Sequence, residues 1–378
     1  MKVYLDNAAT TPLDPAVFEA MKPYMLESYG NPSSIHSHGR EVRSAIERSR
    51  KKVADLLNTS PSEIFFTSGG TEADNTALRC SVDALGIKRI ITTKLEHHAV
   101  LHTAELLERK GKVQLDFLKI DDKGRIDFEH LEQLLQKPDD TLVTLMHGNN
   151  EIGNLIDIER VGALCREKGV LFHSDTVQTM GHYAHDCQSL PLDFMVGAAH
   201  KFHGPKGVGF LYVHHETKIS PFIQGGSQER NMRGGTENVY GIIGLAKALE
   251  LACEDIHGHR QHILGLKKRM LEQLRAIDGL SFNGLSDDLE SSLYTVLNVS
   301  LPPNDDNDML LFNLDISGIS VSGGSACSSG SNVGSHVLGA LGVPKERGAI
   351  RFSFSRYNTN EDIDYAVSKL NEMFTVSS

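Results

Sequence analysis

Apolar positions along the chain follow two alternating rhythms. Short apolar runs at 64–67, 89–92, 113–118, 141–146 and 170–173 read as strands. Between and after them, 71–85, 98–110, 127–136 and 157–168 read as helices. The helix after the loop Gly30-Asn31-Pro32-Ser33-Ser34 places Val42, Ile46, Val53, Leu56 and Leu57 on one face and Arg, Lys and Glu on the other. Asp14-Pro15 marks another helix start, with Asp as the cap and Pro at the first helical position. Such alternation implies right-handed crossovers and a three-layer α/β fold, a mostly parallel sheet with helices on both faces. Ligands in that architecture sit at the carboxyl ends of the strands. Two further apolar runs, 192–196 and 208–213, flank a glycine- and proline-rich turn, so Lys201 falls in a tight loop between strands.

After Tyr212 the pattern changes. A polar, glycine-rich loop covers 225–236, and helices are predicted over 237–254 and 259–277. A strand at 292–299, a helix at 308–315, a strand at 350–354 and a closing helix from Glu361 read as a smaller α+β domain. The predicted division is a large domain over 13–257 and a small one built from 1–12 and 258–378, with the boundary near Ile256-His257-Gly258. Internal repeats and low-complexity tracts are absent.

Composition narrows the function by exclusion. The 378 residues carry 38 basic and 49 acidic side chains, a formal charge of −11 with no basic block, which argues against nucleic acid. No apolar stretch approaches the roughly 20 residues that span a bilayer, and Met1-Lys2-Val3-Tyr4-Leu5-Asp6 lacks the apolar region of a secretory leader. The five cysteines are widely spaced without a CxxC pair, which predicts neither a disulfide framework nor a metal site and points to the cytoplasm.

The loops after the strands hold the candidate chemistry. Ser68-Gly69-Gly70-Thr71 stands between a strand and a helix start, where backbone N–H groups, the helix dipole and the Thr71 hydroxyl suit a phosphate. Asp175 ends the 170–173 strand region, placed to pair with a protonated ring nitrogen, and Gln178 could hydrogen-bond a phenolic oxygen. His97 could stack on a flat ligand. A lysine held against apolar walls at 201 becomes a nucleophile toward an aldehyde. Taken singly, each has a plainer reading: a tight connection, a capping aspartate, a loop histidine, a solvated lysine. Together they describe a site for pyridoxal 5'-phosphate. Cys327, within Ser322-Gly323-Gly324-Ser325-Ala326-Cys327-Ser328-Ser329-Gly330-Ser331, has no apolar neighbours and reads as a reactive thiol or as an incidental one in a loose turn. Arg351 alternates with apolar residues on its strand and needs a carboxylate partner, which a substrate could supply.

These motifs, with Tyr4-Leu5-Asp6-Asn7-Ala8-Ala9-Thr10-Thr11, Glu96-His97, Asn149-Asn150-Glu151-Ile152-Gly153, Gly204-Pro205-Lys206-Gly207, Arg233-Gly234-Gly235-Thr236 and Ile350-Arg351-Phe352-Ser353, give a chain that resembles the cysteine desulfurases of iron–sulfur-cluster assembly. That family lies in the class V aminotransferase group of fold-type I enzymes that use pyridoxal 5'-phosphate. The resemblance implies that Lys201 holds the cofactor covalently, Asp175 pairs with the ring nitrogen, Gln178 binds the ring oxygen and His97 stacks on the ring. It implies phosphate ligands at Gly70, Thr71 and His200, with Thr236 from a second subunit of a homodimer. Asn31, Asn149 and Arg351 would hold the cysteine carboxylate, Asn149 also reaching the cofactor. Cys327 would take the substrate's sulfur as a persulfide, leaving alanine, for delivery to an acceptor such as an iron–sulfur scaffold protein. A selenocysteine lyase or another class V lyase that uses pyridoxal 5'-phosphate is one alternative, and a non-catalytic sulfur-carrier or assembly subunit on the same fold is the other. Two positions depart from the family pattern: Ala198 where serine is common as a phosphate ligand, and Thr176 where alanine is usual.

Overall fold

The computed structural model describes residues 1–303, 307–323 and 334–375. Among these residues twelve strands run in chain order: β1 (Val3–Tyr4), β2 (Ile64–Thr67), β3 (Arg89–Thr92), β4 (Gln114–Phe117), β5 (Thr141–Thr144), β6 (Leu171–Asp175), β7 (Phe194–Ala198), β8 (Gly209–Val213), β9 (Ser281–Phe282), β10 (Val296–Ser300), β11 (Ile319–Ser320) and β12 (Ala349–Ser353). Eleven α-helices accompany them: α1 (Pro15–Leu26), α2 (Ser37–Leu56), α3 (Gly70–Leu85), α4 (His98–Arg109), α5 (Phe128–Leu134), α6 (Ile158–Lys168), α7 (Val239–Glu254), α8 (Ile256–Leu274), α9 (Leu310–Ile316), α10 (His336–Ala340) and α11 (Asn360–Thr375).

Seven strands form the central sheet in the order β2-β8-β7-β6-β5-β3-β4. β8 pairs antiparallel with both neighbours, while the β7-to-β4 stretch is parallel throughout. Period-two alternation sorts each strand between two apolar layers. Phe66, Ile91, Val143, Phe172, Met195 and Phe210 face a core shared with α1, α2, α6 and α7. Phe65, Ile90, Leu142, Leu171, Val196 and Leu211 face the core beneath α3 and α4. The strands are buried on both faces, which is why they read as continuous apolar runs. Close packing across the β7–β8 pair requires glycine at 197, where an added Cβ would lie 2.2 Å from the Phe210 ring.

A separate core gathers Ile263, Met270 and Leu274 of α8 with Leu297, Ile350, Phe352, Ile363 and Val367 around the antiparallel sheet β12-β10-β9. Val3 and Leu5 belong to it, because β1 pairs with β11. The segment after β1 then crosses toward the large sheet: Asn7 Nδ2 donates to the Ser353 carbonyl at 2.9 Å, and Thr11 N to the His200 carbonyl at 2.9 Å. α7 ends at Glu254 and α8 opens at Ile256, so Ile256-His257-Gly258 forms the first turn of a helix capped by Asp255. None of the described helices is long and apolar enough to cross a membrane.

Candidate active site

The parallel strands β3, β5, β6 and β7 end on one edge of the sheet. Their last residues, Thr92, Thr144, Asp175 and Ala198, hand over to the loops that carry Glu96-His97, Met146 to Asn150, Val177-Gln178 and His200-Lys201. β2 delivers the start of α3 to the same edge. A cavity of about 260 Å³ opens there, lined by Ala8, Ala9, Gly70, Thr71, Asp74, His97, Met146, Asn150, Asp175, Val177, Gln178, Ala198, His200, Lys201 and Arg351.

Lys201 ends a single 3-10 turn, Ala199–Lys201, that follows β7 directly. Its ammonium donates to the carbonyls of Ala8 at 2.6 Å and Ala9 at 2.8 Å. Gln178 Nε2 shares the Ala8 carbonyl at 3.0 Å. Asp175 is buried at the end of β6 and accepts from Val177 N at 2.9 Å. Burial pushes its carboxyl pKa up, opposed by the Val177 N–H and by Lys201. Thr176, whose hydroxyl had no assigned task in the sequence, donates to the Val196 carbonyl at 2.6 Å and ties the end of β6 to β7.

His97 is the N-cap of α4, its Nδ1 accepting from Ala99 N at 3.2 Å. Burial first, then the nearby Lys201, lowers its pKa to about 4, so the ring is neutral at pH 7 and carries its proton on Nε2. His200 is lowered to about 4 in the same way, and its Nδ1 lies 3.2 Å from Thr10 Oγ1.

α3 opens at Gly70 with no side-chain cap, leaving its first-turn N–H groups to a guest. A Cβ at Gly70 would lie 2.9 Å from Val177 Cγ2, so glycine keeps this cradle open. An uncapped helix N-terminus, a buried carboxyl and a half-buried lysine amine on one wall suit a flat, anion-bearing guest.

Of the other predicted residues Arg351 lines the cavity, and the rest that are described stand elsewhere. Asn149 does not line the cavity: its Nδ2 donates to the Leu95 carbonyl and its Oδ1 accepts from Glu151 N and Ile152 N, while Asn150 takes the wall. Arg351 lines it but already has a carboxylate, Asp6, at 2.8 Å, with the Asn150 carbonyl at 2.9 Å and its buried Nε unpartnered. Asn31 is exposed and closes a turn onto Ser33 N. Thr236 is exposed on a second depression of about 140 Å³, with Ser68, Arg233 and Asn238. Cys327 lies outside the described residues.

Sequence reasoning missed Asp74, one helical turn beyond Thr71 and 1 % exposed. The signal was available: a residue three positions after a helix-start ligand faces the same way. Burial, with Asp175 and Glu96 nearby, holds its carboxyl far above the usual range.

Residues 3–366 match the family described as aminotransferase class-V. The chain is 43% identical over 379 residues to a protein of Dictyoglomus turgidum named cysteine desulfurase IscS, an alignment covering 98% of this chain and 93% of the relative. Among solved structures it resembles a NifS-like protein, with TM-score 0.91, 39% identity and 100% of both chains covered. It also resembles a structure described as SspA in complex with cysteine, with TM-score 0.81, 31% identity, 95% of this chain and 100% of the other covered. Matched almost from end to end, the chain belongs to the class-V aminotransferase family.

Proposed function

We propose that this chain is a pyridoxal 5'-phosphate-dependent L-cysteine desulfurase that moves sulfur from cysteine onto Cys327 and releases alanine. The carrying observation is the convergence of Lys201, Asp175, His97, Gly70 and Thr71 on one cavity. Relatives named cysteine desulfurase and a similar structure holding cysteine support the same activity.

When bound, the cofactor supplies an electron sink for the Cα of the amino acid. Lys201 would hold it through the amine and, once displaced, carry the Cα proton. Asp175 would keep the ring nitrogen protonated, and neutral His97 would lie against the ring with Nε2–H as a donor. Gly70, Thr71 and His200 would bind the phosphate, joined by Thr236 of a second copy. The exposure of Thr236, away from its own chain's Lys201, and of Leu26, Tyr29 and Ile35 at 69, 76 and 90 % supports a homodimer. Arg351 would offer its unpartnered Nε to the substrate carboxylate.

In the sulfur step the Cys327 thiolate attacks the substrate sulfur. An S–S bond forms, the C–S bond breaks, and its electron pair stays on Cβ, which is protonated on the way to alanine. The persulfide then passes to an acceptor protein, such as an iron–sulfur scaffold. Residues 1–12 and 258–378 would act as the unit carrying Cys327, set against 13–257. The four described cysteines are free thiols, in keeping with a reducing, cytoplasmic setting.

Purified protein should absorb as a yellow pyridoxal enzyme, and cysteine should add one sulfur atom to Cys327 by intact mass. Cys327→Ala should keep the colour and lose sulfur transfer to an acceptor. Undiminished transfer by that variant overturns the assignment.

A further inference from the structure

We propose that Asp74 is a positioning residue that holds a proton against Asp175, so that one carboxyl–carboxylate pair, and not two anions, faces the ring nitrogen of the bound cofactor. The inference rests on the pyridoxal 5'-phosphate reading above.

The geometry comes first. Asp74 lies in the second turn of α3 and lines the cavity while being 1 % exposed. One carboxylate oxygen from Asp74, one from Asp175 and one ring nitrogen of His97 all lie within 4.8 Å of one another. Asp74 Oδ1 is buried with no hydrogen-bond partner among the described residues. The His173 Nε2 stands 3.3 Å from it without hydrogen-bond alignment, and His173 Nδ1 is engaged with Thr144 Oγ1 at 2.7 Å.

The titratable groups nearest this pair bear on where the proton sits, with His200 and Arg351 also on the cavity wall. Glu96, on the approach to α4, is buried, accepts from Met146 N through one oxygen and is itself pushed well upward by burial. His97 at the start of α4 and His173 on β6 are both held neutral by burial, at about 4 and about 3. Lys201 is the nearby cation, directed to the Ala8 and Ala9 carbonyls. Two carboxyls this close in a water-poor site do not both ionise, because like charges repel strongly at low dielectric. The proton belongs on Asp74. Asp175 has the Val177 N–H and Lys201 to stabilise its charge, whereas Asp175 and Glu96 both oppose a charge on Asp74. A neutral Asp74 can donate toward Asp175 and fix the plane of the carboxylate, with the remaining charge left for the ring nitrogen.

Infrared difference spectra of the cofactor-free protein test this without any turnover. A protonated carboxyl stretch present in wild type and missing in Asp74→Asn is the expected result; no such band in wild type overturns the proposal. In the loaded enzyme, Asp74→Asn keeps a neutral donor and should leave kcat and the pH profile of the cofactor absorbance within about threefold and unshifted. Asp74→Val should lower kcat roughly tenfold to a hundredfold at little-changed KM and shift that profile, as expected for a lost hydrogen bond to a charged group. An unaffected Asp74→Val, or an Asp74→Asn as impaired as Asp74→Val, overturns it too. Should wild type bind no pyridoxal 5'-phosphate, the proposed function fails, while the infrared band still decides where the proton resides.

Discussion

Ala198 ends β7 with a methyl group on the cavity wall that Gly70 and Thr71 also line. Its Cβ lines the cavity with Thr71 and His200, and lies 3.7 Å from where a Cβ of Gly70 would stand. Ala198→Ser adds one donor next to an anion, a bond worth roughly 1.5 kcal/mol or more, so the cofactor Kd should fall about tenfold. Retention of absorbance under dialysis measures it, and an unchanged Kd would place the hydroxyl out of reach. Individual residues were legible where motif and backbone coincide: Asp175 at a strand end, Lys201 in a turn between two apolar runs. Arg351 is expected to meet a substrate carboxylate, and one of its nitrogens also meets a carboxylate of the chain itself, Asp6, 345 positions away. Nothing in the local pattern around either residue announces such a pair. Asn149 braces the loop while Asn150 lines the cavity, and sequence cannot tell which of two adjacent asparagines takes which part.

At the scale of elements, the loop at 225–236 is held by a buried pair. Glu229 takes Arg50 through both oxygens at 2.7 and 2.8 Å and Phe66 N at 2.8 Å, and both side chains are 2 % exposed. Glu229, Arg230 and Asn231 occupy the left-handed region with φ of 45°, 56° and 67°, a conformation that side-chain-bearing residues adopt at a cost. The ion pair offsets that cost by fixing the turn. Glu229→Ala removes the bidentate carboxylate from a buried guanidinium, leaving it the Ile64 carbonyl at 2.8 Å and Glu47 at 3.3 Å, and should lower unfolding stability by about 3–5 kcal/mol, read from urea midpoints. A loss below about 1 kcal/mol would mean that water replaces the carboxylate. Long elements were readable because burial on both sheet faces and on helix stripes writes its period into the chain. The expected strand at 292–299 starts only at Val296, because Ser292 is spent on a bridge to Asn154 and Lys267. β1 and β11, two residues each, have no period to read.

Across the whole molecule, Lys267 is the buried base whose titration should be felt in folding. It is 0 % exposed on α8, and its ammonium donates to Ser292 Oγ at 2.7 Å and the Leu293 carbonyl at 2.8 Å, with no carboxylate in hydrogen-bond reach among the described residues. Burial lowers its pKa to about 7, with Asp287 and Asp288 too distant to restore it. An unfolded lysine titrates near 10.4. Between those values the unfolded chain binds the extra proton, so this residue makes stability rise with pH from about 7 to about 10 and fall as pH drops toward 7. The buried tyrosines and thiols with raised pKa, among them Tyr183 and Cys187 at about 12, act oppositely above pH 8, since the folded state then keeps the proton. A comparison with Lys267→Met cancels them. The stability difference, wild type minus variant, should grow with pH by up to about 4 kcal/mol between pH 7 and 10, the ceiling set by roughly three pKa units at 1.36 kcal/mol each. Denaturant titrations at pH 7, 8.5 and 10 would show it as diverging midpoints. A difference flat in pH would mean that the ammonium keeps its charge throughout, compensated inside the fold by the two oxygens it already holds.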